Sequence, residues 1–553
     1  MKGMFKRALA GIAAAALAAT GLAMGAATAN AALVTDCGTG DAACKVTLNA
    51  DNGAQFTGHT YKAIKIADYD VYGTSPKQVF SLQTVDTIET QVTTAVESAT
   101  GKDVPDKTDP LAWAQSQTTP VLDDSHEFPF LGNGTTRKFA DALRDTIGTQ
   151  ATDVTPTVTD KQAVFTFTTP GLYLILDQNA VPATDKTNPG SSKSVPMLVG
   201  TPLTINENTV ISDGTGNVKN QITTISKSVE DATVEYGKNA KYTLNTTIPN
   251  YVGYKVQGYT FTITDKFAAN APMEYVANSL HVYIAGNPET ELIQGQDYSL
   301  TGFSNTSKTF TIDLSDYIKK SAFGDNEPTT NDTFTNGVLA GKAVRVVYEA
   351  KVTGSTGNTG VLNEPTIKYP NDPTTNESKD VPGPGVKVFN FDYTVQKKDR
   401  TTGASLQGAT FVIYAEGGSA TAPLQTVTTG ADGTAKFTGL SDDVIYIIEE
   451  TAAPTGYMDV NLKFKLDIDA VIEGANENAT VESVTYKVTD DSLNLVSDGN
   501  TSTVTVENVK NITELPLTGA AGTMLFTVVG LLIAGAGALV YAKSRGVKRA
   551  LRG

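Results

Sequence analysis

Two lysines of this sequence lie on strand faces that are otherwise apolar. In the run 389–398 the odd positions hold Phe, Phe, Tyr, Val and finally Lys397, and every even position is polar. Alternate residues of a strand point to the same side, so the pattern buries Lys397 and leaves Lys398 in water. Lys227 lies between two apolar residues of 225–229 in the same way. Because an unpaired buried amine costs several kcal/mol, both lysines need partners.

Acids and amides that could pair with them also lie on apolar faces. Asp265, Asn363 and Asn508 each alternate with apolar residues of a predicted strand. Two neighbouring acids, Glu449 and Glu450, follow a run that is apolar on both faces, so alternation does not choose between them. Each lysine can therefore meet an acid and an asparagine inside a core.

Such a set can form a covalent bond without a cofactor. Burial lowers the pKa of a lysine, which makes its amine neutral and nucleophilic. The same burial raises the pKa of a carboxyl group, and the protonated acid can polarise the asparagine carbonyl. The amine then replaces the amide nitrogen, and ammonia leaves. The alternative is a buried Lys–acid–Asn network held by hydrogen bonds alone.

The third segment, 386–510, resembles the B-type repeat domain of collagen-binding surface proteins. The resemblance rests on Lys-Lys-Asp at 397–399, on 406–411, and on Glu-Thr-Ala-Ala-Pro-Thr-Gly-Tyr at 450–457. It implies an isopeptide bond from Lys397 to Asn508, with Glu450 as the catalytic acid.

The second segment, 221–380, resembles the A-type isopeptide domain of Gram-positive pilins. The matching runs are 224–229, Ile-Thr-Asp at 263–265, and Leu-Asn-Glu-Pro at 362–365. The resemblance implies a bond from Lys227 to Asn363, catalysed by Asp265. The alternative is a surface lysine and two turn residues.

The C-terminal residues resemble the cell-wall sorting signal of Gram-positive surface proteins. The pentapeptide 515–519 is followed by the apolar run 520–542, which spans ~30 Å as a helix, and then by a basic tip. The resemblance implies that a sortase cleaves between the last two residues of the pentapeptide Leu515, Pro516, Leu517, Thr518 and Gly519. The alternative is an ordinary single-span anchor.

The N-terminal residues 1–31 have the pattern of a secretory signal peptide. Three basic residues precede an Ala-rich apolar stretch, and Ala-Asn-Ala at 29–31 predicts cleavage after Ala31. The mature chain would run from Ala32 to Thr518. The whole chain carries a formal charge of −16. The two removed ends carry three and five basic residues and no acids, so the formal charge of the mature region is near −24. Such a negative charge argues against nucleic acid as a partner.

Composition predicts an all-β protein of tandem immunoglobulin-like sandwiches. Thr, Val, Gly and Asn are abundant, and about five hundred residues can form several cores. Helix is expected in the first segment around 85–98 and 138–147. The predicted divisions are a signal peptide 1–31, an N-terminal pilin domain 32–216, a lysine segment 217–220, an A-type domain 221–380, a linker 381–385, a B-type domain 386–510 and a sorting signal 511–553.

Two further predictions concern the first segment. Cys37 and Cys44 can close a small disulfide loop in an exported chain. Lys219 occupies the place where polymerising backbone pilins carry the lysine that attacks the sortase-bound Thr, although the usual Tyr-Pro before Lys-Asn is missing. The alternatives are Lys193, or no such lysine. We find no convincing isopeptide set in this segment.

No conventional enzyme site is evident, and no cofactor or metal is expected. The three histidines lack the spacing of a zinc hydrolase, and paired aspartates such as 442–443 suit turns better than calcium sites. The resemblances imply a structural backbone subunit of a sortase-assembled pilus on the Gram-positive cell wall. Its partners would be pilin-specific and housekeeping sortases, identical subunits, peptidoglycan, and any minor tip or base pilins. The alternative is a monomeric wall-anchored adhesin.

Overall fold

The computed structural model describes residues 31–37, 44–117, 121–122, 134–324, 329, 332–497 and 499–516. The predicted signal peptide before Ala31, the end of the sorting signal from Leu517 onward, and the Asp-Asp pair at 123–124 lie outside these ranges. Within them, no helix has both the length and the apolarity needed to cross a membrane.

The first domain combines β-sheets with helices. A six-stranded sheet has the order β1-β3-β8-β9, with β4 and β5 also on β3; a four-stranded sheet has the order β12-β2-β7-β6, and β10 pairs with β11. The elements are β1 (Ala31–Leu33), β2 (Lys45–Asn49), β3 (Tyr61–Tyr72), β4 (Val79–Thr84), α1 (Glu89–Thr100), α2 (Pro110–Ser116), α3 (Thr135–Ile147), β5 (Thr152–Val154), β6 (Thr157–Thr159), β7 (Gln162–Thr166), β8 (Leu172–Asp177), β9 (Met197–Gly200), β10 (Leu203–Ile205), β11 (Thr209–Ser212) and β12 (Thr215–Asn217).

The helices of this domain cover the six-stranded sheet. Phe139, Leu143 and Ile147 repeat every four residues on α3 and are buried in one core with residues of the sheet. The predicted all-β class, with helix in the N-terminal domain, is confirmed. Helix α1 begins later than the pattern suggests, and the short α2 was not predicted.

The second domain is a sandwich of two sheets. One has the order β13-β14-β21-β17-β18, with β16 on β21; the other has the order β19-β20-β15-β22-β23, with β24 on β22. The elements are β13 (Ile225–Val229), β14 (Asn239–Thr247), β15 (Thr262–Phe267), β16 (Met273–Tyr275), β17 (His281–Ile284), β18 (Thr290–Leu292), β19 (Ser299–Thr301), β20 (Thr309–Asp313), α4 (Ser315–Phe323), β21 (Ala343–Val352), β22 (Val361–Pro370), β23 (Ser378–Pro382) and β24 (Val386–Val388).

The segment 381–385 is hydrogen-bonded into this sandwich. It joins β23 to β24, and both strands pair with β22. A Cβ on Gly383 would lie 2.5 Å from the carbonyl oxygen of Ile225, and one on Gly385 would lie 2.8 Å from that of Asn363. These glycines therefore let the backbone pass close to the two strands that carry Lys227 and Asn363.

The third domain is a smaller sandwich of a three-stranded sheet, β28-β25-β32, and a five-stranded sheet, β27-β26-β29-β30-β31. Strand β25 alternates strictly between buried and partly buried residues, as the sequence pattern predicts. The elements are β25 (Phe391–Asp399), β26 (Thr410–Ala415), β27 (Gln425–Thr428), β28 (Thr434–Leu440), β29 (Tyr446–Ala452), β30 (Lys463–Glu473), β31 (Thr480–Thr489) and β32 (Thr503–Asn508).

Candidate functional site

The second domain brings Lys227, Asp265 and Asn363 together from its two sheets. Lys227 is the central residue of β13 in one sheet, while Asp265 on β15 and Asn363 on β22 belong to the other. All three side chains point into the core because each strand places apolar neighbours on the same face. A bond from Lys227 to Asn363 would therefore join the two sheets.

A tyrosine hydroxyl connects these three side chains. Tyr348 on β21 accepts a hydrogen bond from Lys227 Nζ at 2.8 Å and from Asn363 Nδ2 at 2.6 Å, and it donates to Asp265 Oδ1 at 2.8 Å. Lys227 Nζ also forms a short ion pair with Asp265 Oδ2. The Lys227 and Asp265 side chains are both 0 % exposed, so the set is sealed from solvent.

Burial shifts the proton affinities of this pair in the direction that the chemistry needs. Desolvation lowers the pKa of Lys227 to about 8, against the opposing effect of Asp265. Desolvation likewise raises the pKa of Asp265, although Lys227, Tyr348 and Asn363 act to lower it. The neutral amine beside a neutral acid is thus much closer in free energy to the ion pair than it would be in water.

The third domain brings together Lys397, Glu450 and Asn508. Lys397 on β25 and Asn508 on β32 lie on adjacent parallel strands, two register positions apart, and Glu450 comes from β29 of the facing sheet. Glu450 contacts both partners: Oε2 lies 3.0 Å from Lys397 Nζ, and Oε1 accepts from Asn508 Nδ2 at 3.3 Å. A bond here would join the first and last strands of the domain.

The surroundings of this second set favour attack on the amide. Lys397 and Asn508 are 0 % exposed and Glu450 is 3 % exposed. Desolvation lowers the pKa of Lys397 and raises that of Glu450, with each partner opposing the shift. The backbone N–H of Val509 donates to Asn508 Oδ1 at 2.9 Å, which stabilises negative charge on that oxygen.

Glu449, which alternation could not distinguish from Glu450, points elsewhere. Its Oε2 accepts a hydrogen bond from the Tyr414 hydroxyl at 2.7 Å and lies 4.0 Å from Lys463 Nζ. The geometry therefore brings Lys397 to the acid that the motif spacing indicates.

The backbone around Lys219 is fixed by hydrogen bonds. The Lys219 N–H donates to Ser194 Oγ at 3.1 Å, and its carbonyl accepts from Val195 N at 3.3 Å. The next residue, Asn220, is buried, and its side chain exchanges hydrogen bonds with Gln55 at 2.7 and 3.0 Å. The Lys219 residue itself is only partly buried, whereas its neighbours on both sides are buried.

A buried polar group lies beside this segment. His59 Nε2 is 2.6 Å from Ser191 Oγ and 3.4 Å from Asn220 Nδ2, and His59 Nδ1 is 2.8 Å from Asp177 Oδ2. From sequence the histidines look scattered and without function. This one ties the lysine segment to the core of the first domain.

The other predicted site residues are placed as follows. Lys193 Nζ lies 3.7 Å from Asp372 Oδ2 of the second domain. Cys37 and Cys44 are disulfide-bonded with a Cα–Cα distance of 5.1 Å, which confirms that prediction. Leu515 and Pro516 of the sorting pentapeptide are described, and Leu517, Thr518 and Gly519 lie outside the described residues.

Metal-binding geometry is not found in the described part of the chain, where no group of three or more His, Cys, Asp or Glu residues could hold an ion. At the Asp-Asp pair 442–443, Asp442 accepts a hydrogen bond from the Thr233 hydroxyl of the second domain. Asp443 N donates to Ser441 Oγ at 3.1 Å. The pair thus helps to join the second and third domains.

Comparison with known families identifies two regions. Residues 391–483 match the family model described as SpaA, prealbumin-like fold domain. Residues 507–548 match the model of the LPXTG cell wall anchor motif. The comparison with curated proteins gives no match.

The solved structures that match the chain include pilin subunits. The T6 backbone pilin of serotype M6 Streptococcus pyogenes is 15 % identical, with 84 % of this chain and 98 % of that chain covered, at a TM-score of 0.45. The full-length major pilin SpaD of Corynebacterium diphtheriae is 18 % identical, with coverages of 84 and 97 % and a TM-score of 0.44. The group B streptococcus pilus 2b backbone protein is 26 % identical over 52 % of this chain and 99 % of its own, at a TM-score of 0.34.

These TM-scores are too low for the likeness to carry a conclusion, whereas the two family matches agree with the motifs and strands seen in the chain. The anchor match includes the sorting pentapeptide, and the domain match includes the strands that carry Lys397 and Glu450. The chain is therefore a cell-wall-anchored surface protein and sortase substrate, and residues 391–483 of its third domain are similar to the SpaA prealbumin-like fold domain.

Proposed function

We propose that this chain is the backbone subunit of a covalently polymerised, sortase-assembled pilus. The observation that carries the proposal is the presence of one buried Lys–acid–Asn set in each of the second and third domains, between Lys219 and the sorting pentapeptide. A shaft subunit must transmit tension, and an internal covalent bond in each domain on that path prevents unfolding.

Each set forms an isopeptide bond by its own chemistry. The acid takes the extra proton of the lysine, the neutral amine attacks the asparagine carbonyl, and ammonia leaves. Asn363 Oδ1 is buried without a hydrogen-bond partner among the described residues. The soluble region should then be about 34 Da lighter than its sequence mass, before any disulfide correction, because each bond expels one ammonia of about 17 Da.

Subunits are joined from Thr518 of one copy to Lys219 of the next. The two positions flank the second and third domains, so the contact is heterologous and propagates into an open filament. The fixed backbone at Lys219 supports this assignment, because an acceptor amine must be presented in a defined place. Lys219 is preferred to Lys193 because it directly precedes the second domain, so tension that enters there passes through both domains that carry a buried set.

Assembly is tested by gel electrophoresis of cell-wall extracts. The wild-type chain should give a ladder of heat- and SDS-resistant bands. Lys219→Arg keeps the charge but removes a usable nucleophile, so it should abolish the ladder while preserving export and both internal bonds. Lys193→Arg is the matched control and should keep the ladder.

Two outcomes would contradict the proposal in different ways. A single wall-anchored band from the wild-type chain would support a monomeric adhesin instead. A ladder that survives Lys219→Arg and disappears in Lys193→Arg would move the linkage to Lys193 but leave the pilus function intact.

A further inference from the structure

The two buried sets differ in how the acid reaches the amide. In the third domain the longer Glu450 touches Lys397 with one oxygen and Asn508 with the other. In the second domain the acid is the shorter Asp265, whose hydrogen bonds go to Lys227 and to the Tyr348 hydroxyl. In this domain the amide nitrogen, Asn363 Nδ2, donates its hydrogen bond to the same Tyr348 hydroxyl.

The Tyr348 hydroxyl therefore makes the contact with the amide nitrogen that the Glu450 carboxylate makes in the third domain. It is 2.8 Å from the attacking nitrogen, 2.6 Å from the leaving nitrogen and 2.8 Å from the acid. Tyr348 is 1 % exposed, so water does not compete for these contacts. Burial also raises the pKa of this phenol well above its ordinary value, so it stays protonated and can give up its proton only when it receives another.

We propose that Tyr348 is a catalytic residue that relays a proton from Asp265 to the leaving amide nitrogen of Asn363. The inference rests on the isopeptide bond of the second domain proposed above.

The proton balance of the step is complete without any co-reactant. Lys227 first gives its extra proton to Asp265 and becomes a neutral amine. Its Nζ then bonds to Cγ of Asn363, and the Cγ–Nδ2 bond breaks. Tyr348 gives its proton to Nδ2 and takes the proton of Asp265, while Asp265 takes the proton that Nζ releases. Ammonia leaves, and Tyr348 ends as the phenol with which it began.

The same core supplies a matched control. Tyr275 belongs to the same aromatic cluster, with its ring centroid 5.9 Å from that of Tyr348. Its hydroxyl is buried and makes no hydrogen bond to any described residue. Tyr348→Phe and Tyr275→Phe each delete one buried hydroxyl and keep the ring, but only the first removes a contact with the reacting atoms.

The test follows bond formation over time. The full chain is made by cell-free synthesis, synthesis is stopped, and samples are digested and analysed by mass spectrometry. The cross-linked peptide joining Lys227 to Asn363 reports on the second domain. The peptide joining Lys397 to Asn508 in the same molecules is an internal control for the folding of the third domain and for the time base, and Tyr275→Phe controls for the packing of the second domain.

In Tyr348→Phe the bond of the second domain should form about a hundredfold more slowly, the range typical of losing a proton-transfer group. The bond of the third domain should keep its rate, and Tyr275→Phe should form both bonds as the wild type does. Equal rates in Tyr348→Phe and wild type would overturn the relay, as would equal slowing in Tyr275→Phe, which would mean that any deleted hydroxyl loosens the core. Absence of the cross-link in the wild type would instead refute the isopeptide bond itself.

Discussion

Each buried lysine of the two sets experiences two opposing effects, and their balance decides whether its amine can act as a nucleophile. The acid partner stabilises the ammonium, and at Lys227 the rings of Tyr242 and Tyr348, with centroids 4.8 and 5.2 Å from Nζ, favour the cation as well. Desolvation acts the other way, and it is the largest effect at both Lys227 and Lys397. The charged form of the amine is thus only weakly favoured, which suits a nucleophile that must lose a proton before it reacts.

This balance predicts a pH dependence in a chain that cannot form the bond. In Asn363→Ala, Lys227 stays titratable, with a folded pKa of about 8 against about 10.5 when unfolded. Between these values the unfolded state binds more protons, so stability should rise with pH. Chemical denaturation at pH 8 and 9.5 should show a gain on the order of 1 kcal/mol relative to the wild type.

The wild type is the control because its Lys227 would be an amide, which does not titrate. Tyrosines that are exposed on unfolding also titrate near pH 10. They are common to both proteins, so their effect on stability cancels in the difference. If the stability difference is flat or falls between pH 8 and 9.5, the pKa of Lys227 is not lowered in the folded state.

At the scale of strands, the two sets secure different weak points. The set in the second domain joins two sheets that are otherwise held by core packing. The set in the third domain joins β32 to β25. Strand β32 is an edge of its three-stranded sheet, and as the last strand of the domain it connects to the sorting segment. Its outer side pairs with the short segment 495–497, through hydrogen bonds from Ser497 N to Thr505 O at 2.9 Å and from Glu507 N to Leu495 O at 2.8 Å. A terminal strand that is held on one side by such a short segment opens early under load or heat.

Hydrogen exchange should detect the loss of this connection. Glu450→Ala should leave Lys397 unreacted, and the amides of β32 should then exchange at least about a hundredfold faster. This follows because closing a loop of this size contributes about 4–5 kcal/mol in the chain-entropy model of cross-links. Glu449→Ala is the matched control, since that acid contacts Tyr414 and not Lys397. Unchanged exchange in Glu450→Ala would mean that packing alone secures β32.

Sequence alternation could identify the buried lysines and asparagines of both sets because a polar residue on an apolar face stands out. The same rule hides Tyr348, since a tyrosine among the alternating apolar residues of β21 looks like an ordinary core residue. Its role depends on where a hydroxyl ends up when β13, β15, β21 and β22 meet, and no local pattern records that. The choice of Glu450 over Glu449 likewise depends on the twist and pairing of β29, not on its composition.

The segment 381–385, predicted to be a linker, is part of the second domain. Val-Pro-Gly-Pro-Gly at 381–385 has the composition of a flexible connection, yet both flanking strands pair with β22. Gly383 and Gly385 are there because the backbone passes too close to β13 and β22 for a side chain. A glycine needed for close approach and a glycine needed for flexibility look the same in a sequence.

For the whole molecule, the two proposed bonds define a short load path. In the proposed pilus, tension that enters at Lys219 would reach β13 within a few residues, cross from Lys227 to Asn363, and follow β22 to β25. It would then cross from Lys397 to Asn508 and leave through the sorting segment. Contacts between domains stiffen this path: Lys186 of the first domain lies 2.6 Å from Glu364 and 3.7 Å from Glu477, one in each of the other domains.

Single-molecule pulling between a handle at position 219, introduced as Lys219→Cys, and one beyond Pro516 tests the path directly. In the bonded chain neither the segment from Lys227 to Asn363 nor that from Lys397 to Asn508 should extend, because the covalent bonds bypass the loops they close. Adding Asp265→Ala should release the chain between Lys227 and Asn363, an extension on the order of 450 Å from about 3.3–3.6 Å per residue. Glu450→Ala should release a somewhat shorter length from the third domain. If the chain with both acids intact shows either extension, that domain carries its load through non-covalent packing, and the proposed load path does not exist there.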